Sequence, residues 1–340
     1  MTKILFTSVG CPGFDSVLRS SKLALPDAKF LGCDANNSAY GKHLIGDFFV
    51  VPKSDAKEFS QEILKIILEN KIDLIVPLGD LELTPLAKEF KNFSLVQNLE
   101  TLELTADKSK LYDALLEFDE TRKYVPQYIR CLSDKDVKEF ADRVGKICVK
   151  PARTSGSRGF FVIEDFNIKT HGQQKMKHAI VSLDGFLNSI KKCKTNDMLA
   201  CEFLPGKEYS VDCFVSESAE IFIPRERVQI TSGICTEAHV VENRELIQAS
   251  RAIAKKIGLN KNFNIQFRYD ENQNPKLLEV NPRISGTIEA CHGAGVNLVA
   301  LGIFSSLPEY EKNFLEENKV PIWGTRMKRV YREIFWKEAE

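Results

Sequence analysis

Short apolar runs alternate with amphipathic segments over the first hundred residues, and this alternation restricts the possible folds more than any other feature of the sequence. The apolar runs have the length of buried strands and lie at residues 3–10, 31–34, 48–51 and 73–80. Residues 55–70 repeat apolar positions at helical spacing. Strands that alternate with helices predict a parallel sheet with helices on both faces. We therefore expect an N-terminal α/β domain that ends near residue 105.

Length and charge add further limits. The chain has 340 residues, more than the roughly 250–300 that one hydrophobic core supports, so further packed units are expected. The 47 basic and 47 acidic side chains sum to zero, which argues against a nucleic-acid-binding surface. The sequence lacks an apolar run of about 18 residues, so no membrane span is predicted. The nine cysteines form no C-x-x-C pair, which predicts reduced thiols and a cytoplasmic location.

The rest of the chain mixes helices and strands without an internal repeat. Predicted helices cover residues 107–118, 183–194 and 245–257, and predicted strands cover residues 147–150, 198–203, 209–215, 263–269 and 276–280. Asp107 is expected to cap the first of these helices. This order predicts an α+β region packed against the first domain.

The first loop, VGCPGFDS, follows a strand and opens a helix. Asp34 ends the second predicted strand about 20 residues later, where a dinucleotide-binding fold places its ribose-binding acid. The loop reads G-x-x-G and lacks the third glycine of that motif. The loop therefore has three possible interpretations: a nicotinamide site, a tight turn that binds nothing, or a site for an anion at the helix N-terminus.

A second loop, VKPARTSGSRGF at residues 149–160, combines small and basic residues. Lys150 lies at the end of a predicted strand, and the loop continues through Thr154, Ser155, Gly156, Ser157 and Arg158. Small residues let backbone N–H groups approach phosphate oxygens, and basic side chains neutralise their charge. A polar turn with a surface lysine is the alternative.

The segment LACEFLPGKEYSVDCF, residues 199–214, predicts a hairpin with carboxylates on either side of its turn. Glu202 precedes the apolar pair Phe203–Leu204, and Glu208 follows the turn. A backbone edge beside apolar side chains suits a purine base, and a nearby carboxylate can accept two ribose hydroxyls. An ordinary hairpin is the alternative.

The run FNIQFRYDENQNPKLLEVNPRISG places polar residues at alternate positions. Gln266 lies on one predicted strand, and Glu279, Asn281 and Arg283 follow on the next. Alternate residues of a strand point to one face, so these side chains are expected to converge. Oxygen ligands beside a guanidinium fit a Mg²⁺–phosphate site, in which Arg283 would stabilise a transferred phosphoryl group. A hairpin with a solvated polar end is the alternative.

In order and spacing, these motifs resemble those of the ATP-grasp superfamily, and NIQF…LLEVNPRISGT is most similar to its carbamoyl-phosphate-synthase-type branch. The residues that carry the resemblance are Lys108, Lys150, Glu202, Glu208, Gln266, Glu279, Asn281, Pro282 and Arg283. The resemblance implies an N-terminal Rossmann-like preATP-grasp domain at 1–105. It further implies a linker and lid subdomain at 106–205 and a C-terminal subdomain at 206–340, with a mixed sheet and the metal site.

The resemblance also implies roles for residues. Lys108 and Lys150 would contact the ATP phosphates beneath a lid at residues 154–159. The base and ribose would contact Glu202, Phe203, Leu204 and Glu208, and one or two Mg²⁺ ions, or Mn²⁺, would bind Gln266, Glu279 and Asn281. The catalytic residues would be Arg283, Lys150 and Arg227. Arg225 and Arg227 are candidate carboxylate or acyl-phosphate clamps, or else surface arginines on a strand.

The implied activity is that of an ATP- and Mg²⁺-dependent ligase. It would join a small carboxylate to an amine or thiol through an acyl phosphate, without nucleic-acid or membrane partners, and a homodimer is allowed. Asp80 and Glu82 would then bind the amine, or Asp80 would cap the next turn. The alternatives are an inactive nucleotide-binding regulatory protein, which predicts lost metal ligands, and a nicotinamide-dependent oxidoreductase, which requires the missing glycine.

Overall fold

The N-terminal domain is a parallel sheet, as the alternating sequence pattern predicts. The computed structural model describes residues 1–153, 160–163, 179–186, 198–310, 320–331 and 333–336. The sheet has the order β3-β2-β1-β4, with β1 Lys3–Thr7, β2 Lys29–Asp34, β3 Asp47–Val50 and β4 Leu74–Pro77. Its helices are α1 Phe14–Ala24, α2 Phe59–Asn70, α3 Leu83–Glu89 and α4 Leu99–Thr105.

Strand β1 shows why helices cover both faces of this sheet. Ile4 and Phe6 belong to the apolar cluster that contains α1, whereas Leu5 packs in the cluster that contains α2 and α3. Successive side chains of a strand point to opposite faces. A strand that is apolar at every position therefore needs a partner layer on each side.

The middle region forms a five-stranded sheet with the order β5-β9-β6-β7-β8. Its strands are β5 Tyr128–Arg130, β6 Ile147–Pro151, β7 Phe161–Ile163, β8 Ala179–Val181 and β9 Met198–Glu202, and its helices are α5 Lys108–Leu116, α6 Asp119–Arg122 and α7 Asp134–Val144. Strands β7 and β8 are parallel and the other pairs antiparallel. Residues 154–159 of the predicted lid and residues 187–194 of a predicted helix lie outside the described residues.

The C-terminal region forms a six-stranded sheet with the order β14-β13-β10-β11-β12-β15. Its strands are β10 Glu208–Val215, β11 Glu220–Thr231, β12 Ile234–Val240, β13 Lys261–Tyr269, β14 Pro275–Asn281 and β15 Arg326–Lys328, and its helices are α8 Arg244–Ile257, α9 Glu289–Gly293 and α10 Leu298–Phe304. Every strand pair in this sheet is antiparallel, whereas a mixed sheet was expected in the C-terminal subdomain. The sheet that mixes parallel and antiparallel pairs is the middle one. One face packs its apolar side chains against α8.

The N-terminal domain packs directly on the C-terminal region. One apolar cluster contains Phe14 and Val17 of α1 together with Ile303 and Phe304 of α10. The described residues also contain short 3₁₀ turns at Tyr40–His43, Asp80–Glu82, Lys91–Phe93 and Pro308–Tyr310. The proposed boundaries near residues 105 and 205 fall between α4 and α5 and between β9 and β10. Among the described residues, no helix has both the length and the apolar character to cross a membrane.

The backbone of Gly13 touches the backbone of Gly286 where the two regions meet. A Cβ atom on Gly13 would lie 2.7 Å from the Gly286 Cα atom, too close for any side chain. The Arg329 guanidinium bridges the same two loops, donating to the Pro12 and Gly286 carbonyls at 2.7 and 2.6 Å. This contact therefore fixes the distance between the N-terminal loop and the segment after β14.

Gly13→Ala should lower the free energy of unfolding by about 1–3 kcal/mol, because the added methyl group overpacks this contact. Gly13 has φ −96°, which alanine accepts, so the loss reports the contact and not backbone strain. Gly46→Ala is the control, since a Cβ there meets nothing within 4 Å. Urea unfolding measures both variants, and equal stabilities would contradict the close approach.

Candidate functional site

The second face of the C-terminal sheet carries polar side chains in rows across the strands. Ser210 lies opposite both Arg225 and Gln266, and Gln266 lies opposite Glu279. Adjacent strands lie about 4.8 Å apart, so this row brings together residues far apart in the chain. The next row contains Asp212, Asn264 and Asn281. The predicted convergence of alternate residues on one face thus has its origin in strand register.

The three predicted metal ligands are neighbours in these rows. Asn281 Nδ2 donates to Glu279 Oε1 at 3.2 Å, and Gln266 Oε1 accepts from Arg227 at 2.7 Å. They offer one carboxylate and two amide oxygens, which are hard ligands of the kind that Mg²⁺ prefers. Within the described ranges, no group of three or more His, Cys, Asp and Glu residues could hold a metal ion. A set with a single carboxylate suits an ion that takes its remaining ligands from phosphate oxygens and water.

Lys108 approaches this site from the first turn of α5. Its Nζ lies 3.7 Å from Glu279 Oε2, and its side chain is only 9% exposed. Burial lowers the pKa of Lys108, and the attraction of Glu279 opposes that shift. The predicted cap holds this turn, because the Asp107 side chain accepts from the backbone N–H groups of Ser109 and Lys110. The capped first turn of α5 therefore places a buried ammonium group beside Glu279, one of the predicted metal ligands.

Lys150 reaches the same strand from β6. Its Nζ donates to the Tyr112 hydroxyl at 3.2 Å and to the Leu278 carbonyl at 3.5 Å. The Tyr112 hydroxyl in turn donates to the carbonyls of Leu277 and Leu278. Tyr112 was not predicted as a site residue. Its position four residues after Lys108 on a predicted helix places the two side chains on one face of that helix. Both lysines thus reach β14, Lys108 at the Glu279 carboxylate and Lys150 at the neighbouring Leu278 carbonyl.

The two arginines predicted to be catalytic are both paired with acidic partners. Arg227 binds Glu208 at 3.2 Å as well as Gln266. Arg283 binds Asp80, with Nε and NH2 at 2.5 and 3.1 Å from its two carboxylate oxygens. The structure therefore places both arginines beside the predicted metal ligands, each held by its acidic partner.

Arg225, the other candidate clamp, is almost fully buried and pairs with a buried acid. Its Nε lies 2.6 Å from Asp212 Oδ2, and the two side chains are 3% and 0% exposed. Burial would raise the pKa of Asp212, but the Arg225 charge and hydrogen bonds from Ser285 and Cys291 outweigh it and lower that pKa. Arg225 is therefore not a surface arginine; it lines the cavity between the N-terminal domain and this sheet, and its role as a carboxylate or acyl-phosphate clamp stays a prediction.

The predicted base-binding hairpin lies at the end of β9. Glu202 accepts from the Gln127 backbone N–H at 2.9 Å, and the Phe203 N–H donates to the Lys146 carbonyl at 3.0 Å. Lys146 Nζ lies 4.4 Å from the Phe203 ring centroid. Leu204 is buried. The hairpin backbone is thus anchored, and the hydrogen-bonding group of Phe203 that remains for a ligand is its carbonyl.

A cavity of about 270 Å³ lies between the N-terminal domain and the polar face of the sheet. Its walls include Asp80, Arg227, Gln266, Glu279 and Asn281 with Arg283, and from the N-terminal domain Cys11, Pro12, Gly13, Val17 and Leu78. The two carboxylates predicted to bind an amine do not both face it. Glu82 is buried, accepts from Thr7 Oγ1 at 2.5 Å, and has its pKa raised by burial to about 7.

Three family models match consecutive parts of the chain. Residues 4–98 match the N-terminal domain of PylC-like proteins, and residues 101–210 match the YheC/D-like ATP-grasp family. Residues 194–326 match the ATP-grasp family of a biosynthetic pathway with the Ter operon. Among curated proteins, no significant match was found.

Solved structures of low sequence identity share the fold. An L-amino acid ligase from Bacillus licheniformis has a TM-score of 0.68 at 12% identity, over 92% of this chain and 77% of that one. The N5-carboxyaminoimidazole synthetase from Staphylococcus aureus, complexed with ADP, has a TM-score of 0.68 at 15% identity, over 98% and 94%. The biotin carboxylase domain of the Hydrogenobacter thermophilus 2-oxoglutarate carboxylase, complexed with MgADP, ADP and bicarbonate, has a TM-score of 0.67 at 15% identity, over 90% and 69%.

The family matches and the shared fold confirm the resemblance to the ATP-grasp superfamily. More particularly, residues 101–326 match two ATP-grasp families and follow a PylC-like N-terminal domain at residues 4–98.

Asp107→Ala should lower the free energy of unfolding by about 1 kcal/mol, because it removes the cap of the helix that carries Lys108. Burial would raise the pKa of Asp107, but hydrogen bonds from Ser109, Lys110 and Arg153 outweigh it and lower that pKa. The ionised cap therefore stabilises the protein above about pH 4, the unfolded value, and this contribution disappears as the pH falls through the folded pKa.

Urea unfolding at pH 3 to 8 measures this difference. The gap between the two proteins should be constant above about pH 5 and shrink in acid. Asp27→Ala, at an exposed turn, is the control and should change stability by less than about 0.5 kcal/mol. A gap that grows in acid would contradict the assignment.

Proposed function

We propose that this protein is an ATP- and Mg²⁺-dependent ligase that joins a small-molecule carboxylate to an amine or thiol through an acyl phosphate. One observation carries the proposal: Lys108 meets Glu279 at 3.7 Å beside Gln266 and Asn281, at the wall of a 270 Å³ cavity. The similar L-amino acid ligase and N5-carboxyaminoimidazole synthetase support it at the level of reaction class. The site would thus bring a nucleotide phosphate and a small molecule together.

Gln266, Glu279 and Asn281 would hold the Mg²⁺ ion. Bound there, Mg²⁺ would neutralise phosphate charge and act as a Lewis acid. Glu279 now shares its oxygens with Lys108 and Asn281, and Gln266 shares its oxygen with Arg227. These contacts are moderate hydrogen bonds and a long ion pair, which a nucleotide can replace with phosphate oxygens.

The nucleotide would lie between the middle sheet and the C-terminal sheet. Lys108 and Lys150 would contact its phosphates, and the base and ribose would lie near Phe203, Leu204, Glu202 and Glu208. The lid predicted at residues 154–159 lies outside the described residues. Lys108 would exchange the Glu279 carboxylate for a phosphate oxygen, which keeps its charge paired in a buried place.

The chemistry follows from the poor electrophilicity of a carboxylate. A carboxylate oxygen would attack the γ-phosphorus of ATP, the bond to the β-phosphate oxygen would break, and ADP would leave. The amine or thiol would then attack the acyl carbon, the bond from that carbon to the phosphate oxygen would break, and inorganic phosphate would leave with the proton that the amine or thiol loses. The reaction depends on positioning and charge neutralisation, which Lys150, Arg227 and Arg283 would supply.

The two alternative functions have less support. An inactive nucleotide-binding protein predicts lost ligands, whereas Gln266, Glu279 and Asn281 are all present and adjacent. In a nicotinamide site Asp34 would bind ribose, but it accepts from the backbone N–H groups of Gly10 and Asn36 and so closes its own loop.

The eight described cysteines are all free, which supports a reducing cytoplasm as the place of action.

Glu279→Gln should reduce ATP-dependent phosphate release by at least about 100-fold, because it removes the one carboxylate of the metal set. The assay is a screen of paired carboxylates and amines or thiols with MgATP, in which product mass identifies the substrates. Glu271→Gln, on the exposed turn of the same hairpin, is the matched control. Normal turnover by Glu279→Gln would refute the metal assignment.

Mg²⁺ alone should bind weakly, because the set supplies a single negative charge and water would have to complete the shell, whereas nucleotide phosphates add charged oxygen ligands. Calorimetric titration should show tight binding of ADP in the presence of Mg²⁺ and a weaker interaction when EDTA replaces it. The Glu279→Gln protein should lose most of the Mg²⁺-dependent gain. ADP affinity that is independent of Mg²⁺ would exclude a metal-bridged nucleotide.

A further inference from the structure

Asp80 places a carboxylate of the N-terminal domain at the cavity, and the ligase chemistry above gives it no role. It follows β4, which lies on the opposite side of β1 from β2. The crevice between β1 and β4 is therefore the topological switch point of the sheet, where α/β folds bind ligands. Asp80 and the loop Cys11–Gly13 both line the cavity from this crevice.

The Asp80 carboxylate forms a bidentate ion pair with the Arg283 guanidinium. Its Oδ1 accepts from Nε at 2.5 Å and its Oδ2 accepts from NH2 at 3.1 Å. Two parallel bonds fix the plane of a guanidinium group, which a single ion pair leaves free to rotate. The two residues are 203 positions apart in the chain, so this contact exists only when the N-terminal domain is docked.

The remaining hydrogen-bonding capacity of Arg283 faces the cavity. A guanidinium has five N–H groups, and Asp80 takes two of them. A third donates to the Ile284 carbonyl at 3.0 Å. In the part of the chain that the structure describes, the other two have no protein acceptor, and Arg283 lines the cavity beside Glu279 and Asn281. Asp80 thus determines where these two N–H groups point.

Several contacts hold the N-terminal domain against the C-terminal region and thereby fix the position of the Asp80 carboxylate. The Gly13–Gly286 backbone contact and the Arg329 bridge hold the adjoining loop. Arg19 of α1 also pairs with Glu289 of α9 at 3.0 Å. A carboxylate on such a support is a preorganised partner for the arginine.

We propose that Asp80 is a positioning residue that orients Arg283 toward the transferred phosphoryl group, so that the N-terminal domain completes the active site. The inference rests on the proposed function, because Arg283 meets a phosphoryl group only in such a ligase. A carboxylate that merely neutralised Arg283 would affect stability alone. A positioning residue affects the binding of a phosphoryl-transfer mimic at unchanged nucleotide affinity.

The test compares MgADP binding with and without fluoroaluminate, which mimics the transferred phosphoryl group, by calorimetry on the full chain. Asp80→Asn should keep the MgADP affinity of the wild type within about twofold but lose at least about tenfold of the gain from fluoroaluminate. Asp80→Glu, which keeps the carboxylate at a longer reach, should recover part of that gain. Arg283→Lys should lose the gain, and adding Asp80→Asn to it should cause no further loss.

The control is Asp47→Asn, which breaks an exposed ion pair with Lys29 in the same domain and should leave both affinities unchanged. Thermal unfolding of each variant separates loss of fold from loss of positioning. Asp80→Asn that retains the full fluoroaluminate gain, while Arg283→Lys loses it, would overturn this inference and leave the proposed function standing. Wild-type protein that binds no MgADP would overturn the proposed function and the inference with it.

Discussion

The cost of burying charge governs the arrangement of this site. A buried ion without a partner is strongly unfavourable, so each charged side chain on the polar face must find an opposite charge or a hydrogen bond. The register of β10 and β11 meets this requirement for two pairs, Arg225–Asp212 and Arg227–Glu208. The other two pairs, Lys108–Glu279 and Arg283–Asp80, form where α5 and the N-terminal domain pack against the sheet.

These ion pairs differ in burial and in distance, and the difference distinguishes the pair that supports the fold from the pair at the proposed site. Arg225 and Asp212 are almost fully buried at 2.6 Å, and removing one partner of such a pair typically costs about 3–5 kcal/mol. Lys108 and Glu279 are 3.7 Å apart, and Glu279 is 22% exposed. The first pair is thus a permanent part of the fold. The second is loose enough for a phosphate to take the lysine and a cation to take the carboxylate.

The sequence predicted the features that depend on local pattern. Apolar runs and helical spacing located the four strands and the helices α1 and α2 of the N-terminal domain, whereas α3 and α4 were not predicted. Asp107 was correctly predicted as a cap. The β11–β12 hairpin was not predicted from the sequence. Its two turn residues, Ser232 and Gly233, both have positive φ, as a two-residue hairpin turn requires. The pairing of Asp80 with Arg283 could not be predicted, because it depends on how two domains dock. Sequence periodicity describes faces of single elements, not contacts between domains.

The cavity joins two unlike walls, and this contrast has a consequence for selectivity. The sheet side is charged and would handle phosphate and metal, whereas the N-terminal side presents Pro12, Val17 and Leu78 around the single carboxylate of Asp80. Because Arg283 engages that carboxylate at both oxygens, the N-terminal wall offers its neighbours mainly apolar surface. A hydrophobic wall distinguishes substrates by size and shape, with about 1–3 kcal/mol for each methylene group. Selection among small molecules would therefore rest on the fit against the N-terminal domain, while the activation chemistry rests on the sheet.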